Sequence, residues 1–129
     1  MGARSAGSPL TVLVAEDDAD TRALLSMLLE DEGYRVLAAP NGEVALALAL
    51  DRRVDVVLMD LSMPRLGGEA FCRAYRERGG EAPVVVITAA RGDELLAAIE
   101  ACGAADYVVK PFDVDTLLAT IERHAGRPA

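Results

Sequence analysis

Four apolar runs in this chain each stop on a polar or charged residue, and short β-branched runs of this kind read as strands buried on both faces of a parallel sheet. Leu13-Val14-Ala15 runs into Glu16-Asp17-Asp18, residues 54–59 run into Asp60, residues 84–87 into Thr88, and Tyr107-Val108-Val109 into Lys110. The runs alternate with helical stretches. Strands are predicted at 10–15, 34–38, 54–59, 84–87 and 107–109, and helices at 19–31, 43–50, 69–78, 93–102 and 113–124. Leu24, Leu25, Leu28 and Leu29 recur at helical spacing, with Gly33 just past the helix end. The Ala/Leu alternation at 45–50 mimics a strand, but both residues are strong helix formers and poor strand markers. Met63-Pro64 and Gly67-Gly68 break the chain into a loop, and Gly79-Gly80 ends the third helix. Strand followed by helix, five times over, implies a parallel sheet with helices on both faces and right-handed crossovers. The hydrophobic periods leave the strand order open.

Open α/β sheets bind ligands beyond the carboxyl ends of their strands. If the four strands are neighbours, Glu16, Asp17, Asp60, Thr88 and Lys110 converge at one edge. Crowded carboxylates need a cation, and an all-oxygen donor set suits Mg²⁺. Three carboxylates against Lys110 and one divalent ion leave the site balanced, with one carboxylate free to act as a nucleophile. Taken singly, these residues have plainer readings. Asp17 and Asp18 suit a helix start, and Asp18 reads as the cap. Thr88 alone is an ordinary strand residue, Lys110 a solvated loop charge, and Tyr107 core packing.

Composition narrows the classes. With 129 residues, 52% of them hydrophobic, the chain is expected to form one globular domain. A net charge of −8 argues against nucleic acid or an anionic membrane as direct partner. Lys110 is the only lysine among 13 basic residues, so its place at a strand end stands out. Cys72 and Cys102 have no metal-ligand spacing and read as buried free thiols of a reducing compartment. The chain has no apolar stretch near the roughly 20 residues of a membrane span and no signal-peptide core, so a cytoplasmic protein is expected. His124 lies in the last helical turn, where a cation suits the dipole. Residues 1–9 read as a flexible lead-in, 10–125 as the domain and 126–129 as a tail or the start of a linker.

The segments VLVAEDD, VVLMDLSMP, VVVITAA and DYVVKPF, in this order and spacing, resemble the receiver domain of bacterial two-component response regulators, chemotaxis regulators among them. The resemblance covers about residues 10–125. It implies a doubly wound, flavodoxin-like α/β fold with five parallel strands in the order 2-1-3-4-5 and five helices. It implies Asp60 as phosphoacceptor, Mg²⁺ held by Glu16, Asp17, Asp60 and the backbone carbonyl of Ser62, Thr88 as the hydroxyl on a phosphoryl oxygen, and Lys110 as its cationic partner. Lys110-Pro111 matches a peptide bond that is cis in the family. Thr88 and Tyr107 match the switch pair, and Ser62 and Ala90 the positions that tune water access, where neither can orient an attacking water. The implied donor is a sensor histidine kinase or a histidine phosphotransfer protein. The implied output is a changed face on the fourth helix, fifth strand and fifth helix, read by an effector, an output domain or a second copy in a phosphorylation-dependent homodimer.

Three other classes are set against this one. A receiver-like interaction module that is never phosphorylated would not need the whole residue set. An Asp-nucleophile phosphatase would want an acid two residues after Asp60, where Ser62 stands. A flavodoxin-like cofactor binder would want a Gly-rich phosphate loop in place of acids.

Overall fold

The computed structural model describes residues 9–63 and 65–128. β1 (Thr11–Ala15), β3 (Val56–Asp60) and β4 (Val84–Thr88) are buried along their whole length, so they show unbroken apolar runs instead of alternation. β2 (Arg35–Ala39) and β5 (Asp106–Val109) are the edge strands and are only partly covered. The five pair in parallel in the order β2-β1-β3-β4-β5, the doubly wound order expected. Between and after them come α1 (Ala19–Asp31), α2 (Gly42–Asp51), α3 (Gly68–Glu77), α4 (Gly92–Cys102) and α5 (Val114–Ala125).

Alternate residues of each strand serve two separate cores. Leu13, Val57, Met59, Val84 and Val86 pack with Ala45 of α2, Phe71, Cys72 and Tyr75 of α3, and Cys102 of α4. Val12, Val14, Leu58, Val85 and Ile87 pack with Leu25 and Leu29 of α1 and Leu117 and Ile121 of α5. Each large side chain buried this fully contributes about 1.5–3 kcal/mol. Both cysteines are free and buried in the first of these layers.

Local signals start the helices. Asp18, Asn41 and Asp113 each accept an N–H three residues on, from Thr21, Val44 and Thr116. Each such cap stabilises its helix by about 1 kcal/mol. Asp18 is therefore a cap, as its position suggested.

The element boundaries differ from expectation in small ways with physical causes. β3 begins at Val56, two residues later than the apolar pattern suggests, and ends on Asp60 itself. The Asp55 carboxylate accepts the Thr11 N–H at 2.7 Å, and its own N–H donates to Thr11 O at 2.9 Å, which closes the ladder at its entry end. β2 and α5 are displaced by one residue; Asp113 caps α5 from outside. Of the lead-in expected at residues 1–9, all but Pro9 lies outside the described residues, as do Pro64 of the predicted loop break and Ala129 of the tail. Among the described residues, no helix is long and apolar enough to cross a membrane.

Candidate functional site

Because β1, β3, β4 and β5 run in one direction, the residues at their ends meet at one edge of the sheet. Glu16 leaves β1 with its N–H on Ala39 O at 3.0 Å, and Lys110 leaves β5 with its N–H on Thr88 O at 2.9 Å. The register sets Asp60 beside Ile87 and Thr88 beside Val109. The Lys110-Pro111 bond is cis. Glu16 and Asp60 are buried, at 1% and 3% exposure, whereas Asp17 is exposed.

The Asp60 carboxylate is held at both oxygens. Lys110 Nζ donates to Asp60 Oδ2 at 2.6 Å, and the Ser62 N–H donates to Oδ1 at 2.8 Å. Lys110 Nζ also stands 3.8 Å from Glu16 Oε1. Burial works to lower the Lys110 pKa, but its hydrogen bond to Asp60 and the charges of Asp60, Glu16 and Asp17 outweigh burial and raise it. Glu16 is the opposite case. Burial pushes its carboxyl up to about 7; the Asp18 N–H opposes this, and the neighbouring Asp60 adds to it. Glu16 Oε2 accepts that N–H at 3.1 Å, but Oε1 is buried with no hydrogen-bond partner among the described residues. A buried, unpartnered carboxylate oxygen is costly and calls for a ligand to explain it. One carboxylate oxygen from each of Glu16, Asp17 and Asp60 lies within 4.8 Å of the others. This oxygen-only donor set fits a hard divalent cation such as Mg²⁺.

Thr88 is buried, and its Oγ1 accepts the Ala90 N–H at 3.0 Å. Tyr107 pairs with Val86, so it lies on the same sheet face as Thr88, two residues down the ladder. Tyr107 is 43% exposed, which sets aside the plain core-packing alternative: β5 is an edge strand and only partly covered. A groove of about 580 Å³ lined by Thr21, Leu24, Ala89, Lys110, Pro111 and Phe112 opens beside the site.

Two arginines that the residue pattern did not single out hold the site by its backbone. Arg22 donates from one guanidinium nitrogen to the carbonyls of Glu16 at 2.9 Å and Asp17 at 3.4 Å, securing the acidic turn. Arg91 donates to Lys110 O at 3.3 Å. The only sequence clue to Arg22 is its place one helical turn after the Asp18 cap; Arg91 has none, since its partner lies 19 residues away.

Comparison with known proteins agrees with this geometry. Residues 12–122 match the family described as the response regulator receiver domain. The chain is 41% identical over 112 residues to the response regulator MprA of Mycobacterium sp. (strain KMS), covering 86% of this chain and 48% of that protein. It spans about half or less of the length of the curated relatives it matches. The chemotaxis protein CheY4 of Vibrio cholerae superimposes with a TM-score of 0.83 at 34% identity, over 91% of this chain and 99% of that one. The receiver domain of the sensor histidine kinase PA1611 from Pseudomonas aeruginosa PAO1 superimposes with a TM-score of 0.81 at 29% identity, over 92% and 99% of the two chains. That structure holds a magnesium ion coordinated in its active site cleft. With the family model matching residues 12–122 and the fold matched over nearly the whole length at 34% identity, this chain belongs to the response regulator receiver domain family.

Proposed function

We propose that this receiver domain accepts a phosphoryl group on Asp60, in a Mg²⁺-dependent step, from the phosphohistidine of a sensor kinase or a histidine phosphotransfer protein. The observation that carries this reading is the Lys110 ammonium 2.6 Å from the buried Asp60, beside two further carboxylates. The Asp60 carboxylate attacks phosphorus in line as the bond to the donor imidazole nitrogen breaks, and the electron pair of that bond stays on the imidazole. Glu16, Asp17, Asp60 and the Ser62 carbonyl are the residues that would hold the metal, and Glu16 Oε1, without a hydrogen-bond partner among the described residues, supports that assignment. Bound Mg²⁺ would offset the carboxylates and the charge on the phosphoryl oxygens. Lys110 stays on the reacting centre and pairs with the product. The groove beside Lys110 gives the donor an approach.

The switch starts from Thr88. Its hydroxyl turns to a phosphoryl oxygen, and the Tyr107 ring, now exposed, moves into the space left. The face made by α4, β5 and α5 then changes its preference for an effector, an output domain or a second copy, which is a local charge event biasing a two-state element. Ser62 and Ala90 carry no carboxylate or amide to orient an attacking water, so the aspartyl phosphate is expected to last well beyond seconds. The expected compartment is the cytoplasm.

The test is titration of beryllofluoride with Mg²⁺, a mimic of the acyl phosphate, read by two-dimensional NMR. Wild type should show saturable shifts around Asp60, Thr88 and Tyr107, and Asp60→Asn none. Absence of any Mg²⁺-dependent change in wild type would overturn the reading in favour of a docking module that works unphosphorylated.

A further inference from the structure

The loop that leaves Asp60 is held at both ends, and the second hold lies outside the site. At the near end, the Ser62 N–H sits on Asp60 Oδ1 and the Leu61 N–H on Ile87 O at 3.3 Å. At the far end, Arg65 and Leu66 are non-glycine residues in the left-handed region, with φ of 52° and 77°. Side chains adopt this conformation reluctantly, and it persists only where the surroundings over-determine it. Here the surroundings are the first two residues of α2. The Glu43 N–H donates to Arg65 O at 3.1 Å, and the Glu43 carboxylate meets the Arg65 guanidinium at 2.8 Å. Gly42 lies so close to the Leu66 peptide that a Cβ there would overlap the carbonyl oxygen and stand 2.8 Å from its carbon. The neighbouring atoms are backbone, so they cannot swing aside.

We propose that Gly42 and Glu43 are positioning residues for the phosphoacceptor loop: by clasping Arg65 and Leu66 they keep Ser62 and Asp60 in the geometry that metal binding and phosphoryl acceptance require. The proposal rests on the phosphoreceiver reading. Its consequence is that contacts made at the start of α2, on the side of the sheet away from β5, tune the site without touching it.

Gly42→Ala is the sharp test. Alanine is the better helix former by intrinsic propensity, and Gly42 is not in the positive-φ region, so α2 itself is not penalised. The new methyl acts on the loop alone. Expected are faster hydrogen exchange at the Ser62 amide in Mg²⁺-free protein and a loss of Mg²⁺ affinity of about tenfold, since displacement of ligands by an ångström is enough to cost that much. Glu43→Ala should act in the same direction by about twofold, because the ion pair is exposed. Gly79→Ala is the control. Its φ of +90° makes alanine strained, but nothing lies within 4 Å of the added Cβ, so it should lower Tm and leave both readouts at wild-type values. Wild-type exchange and affinity in Gly42→Ala would overturn the proposal. So would Mg²⁺ affinity that follows Tm alike in Gly42→Ala and Gly79→Ala. If wild type itself binds no Mg²⁺, the phosphoreceiver reading fails, and Ser62 exchange in Gly42→Ala still decides whether the clasp exists. If Gly42→Ala does not fold, Glu43→Ala decides by the same two readouts.

Discussion

At the entry end of the sheet, each acid is met by its own partners. Asp55 accepts the Thr11 N–H at 2.7 Å, and Asp106 is met by Arg123 at 2.6 Å, His124 at 2.9 Å and the Tyr107 N–H at 2.8 Å. At the carboxyl end, three acids crowd around one ammonium, and a buried oxygen of Glu16 is left over. The pKa directions follow the geometry. Burial pushes Asp106 up, but the hydrogen bonds from His124, the Tyr107 N–H and Arg123 outweigh it and hold the carboxyl below its usual range. Burial also pushes Glu16 up, and there the opposing contacts are too few. The same β-strand scaffold thus uses acids for stability at one end and tolerates their cost at the other, where the proposed function would place a cation and a phosphoryl group.

The largest effect that would break this contrast is expected from Glu16→Gln. The folded-state pKa of Glu16 is raised from 4.5 to about 7, so the folded state holds the extra proton between these values. The penalty for the charged form therefore grows as pH rises through that window and is complete above it. Glu16→Gln should stabilise the metal-free domain by roughly 3 kcal/mol at pH 8, with the gain shrinking toward nothing near pH 4.5. Urea unfolding across this range measures it, and a flat difference would mean that Glu16 is not the strained group. The same variant should bind Mg²⁺ more weakly than wild type, and the loss should be smaller below pH 7, where wild-type Glu16 already carries a proton.

Lys110→Met comes next. It leaves Asp60 and Glu16 without their cation and should cost about 2 kcal/mol at pH 8 without metal, less than for a fully buried pair because Lys110 is partly exposed. Added Mg²⁺ should restore part of the loss, as seen in the unfolding midpoint; equal stability with and without Mg²⁺ would count against a shared role for the two cations.

At the entry end, Asp106→Asn should destabilise by about 1 kcal/mol. Because the Asp106 pKa is lowered in the folded state, this contribution is fully present above the ordinary carboxylate range and is lost as pH falls through the lowered value. A difference from wild type that persisted in strong acid would show that packing, not charge, is at stake. Glu16→Gln and Asp106→Asn should thus have opposite signs at pH 8, although both remove one carboxylate.

Much of this molecule could be read along the chain. Strands β1, β3 and β4 are covered on both faces, so each shows an unbroken apolar run, and the first polar residue after each run marks the carboxyl end of its strand. That is why Glu16, Asp60 and Thr88 stood out, together with Lys110 as the sole lysine. The start of α1 was legible through Asp18, because a cap acts over three residues; the sequence pattern starts α5 at Asp113, which proves to be its cap. Tyr107 was harder. An aromatic in an apolar run looks the same whether its strand is central or at the edge, and only the strand order exposes it.

By itself, then, the sequence determined the ten elements, their alternation and the residues at the strand ends, since burial on two faces and capping are conditions each segment meets locally. The tertiary structure alone decided the rest. It placed Arg22 on the Glu16 and Asp17 carbonyls, Arg91 on Lys110, and Gly42 against Leu66. It also left Glu16 Oε1 buried without a hydrogen-bond partner among the described residues. The Arg91 and Gly42 contacts are meetings between segments whose separation and angle depend on strand order, crossover and register, and no local period of the chain encodes any of the three.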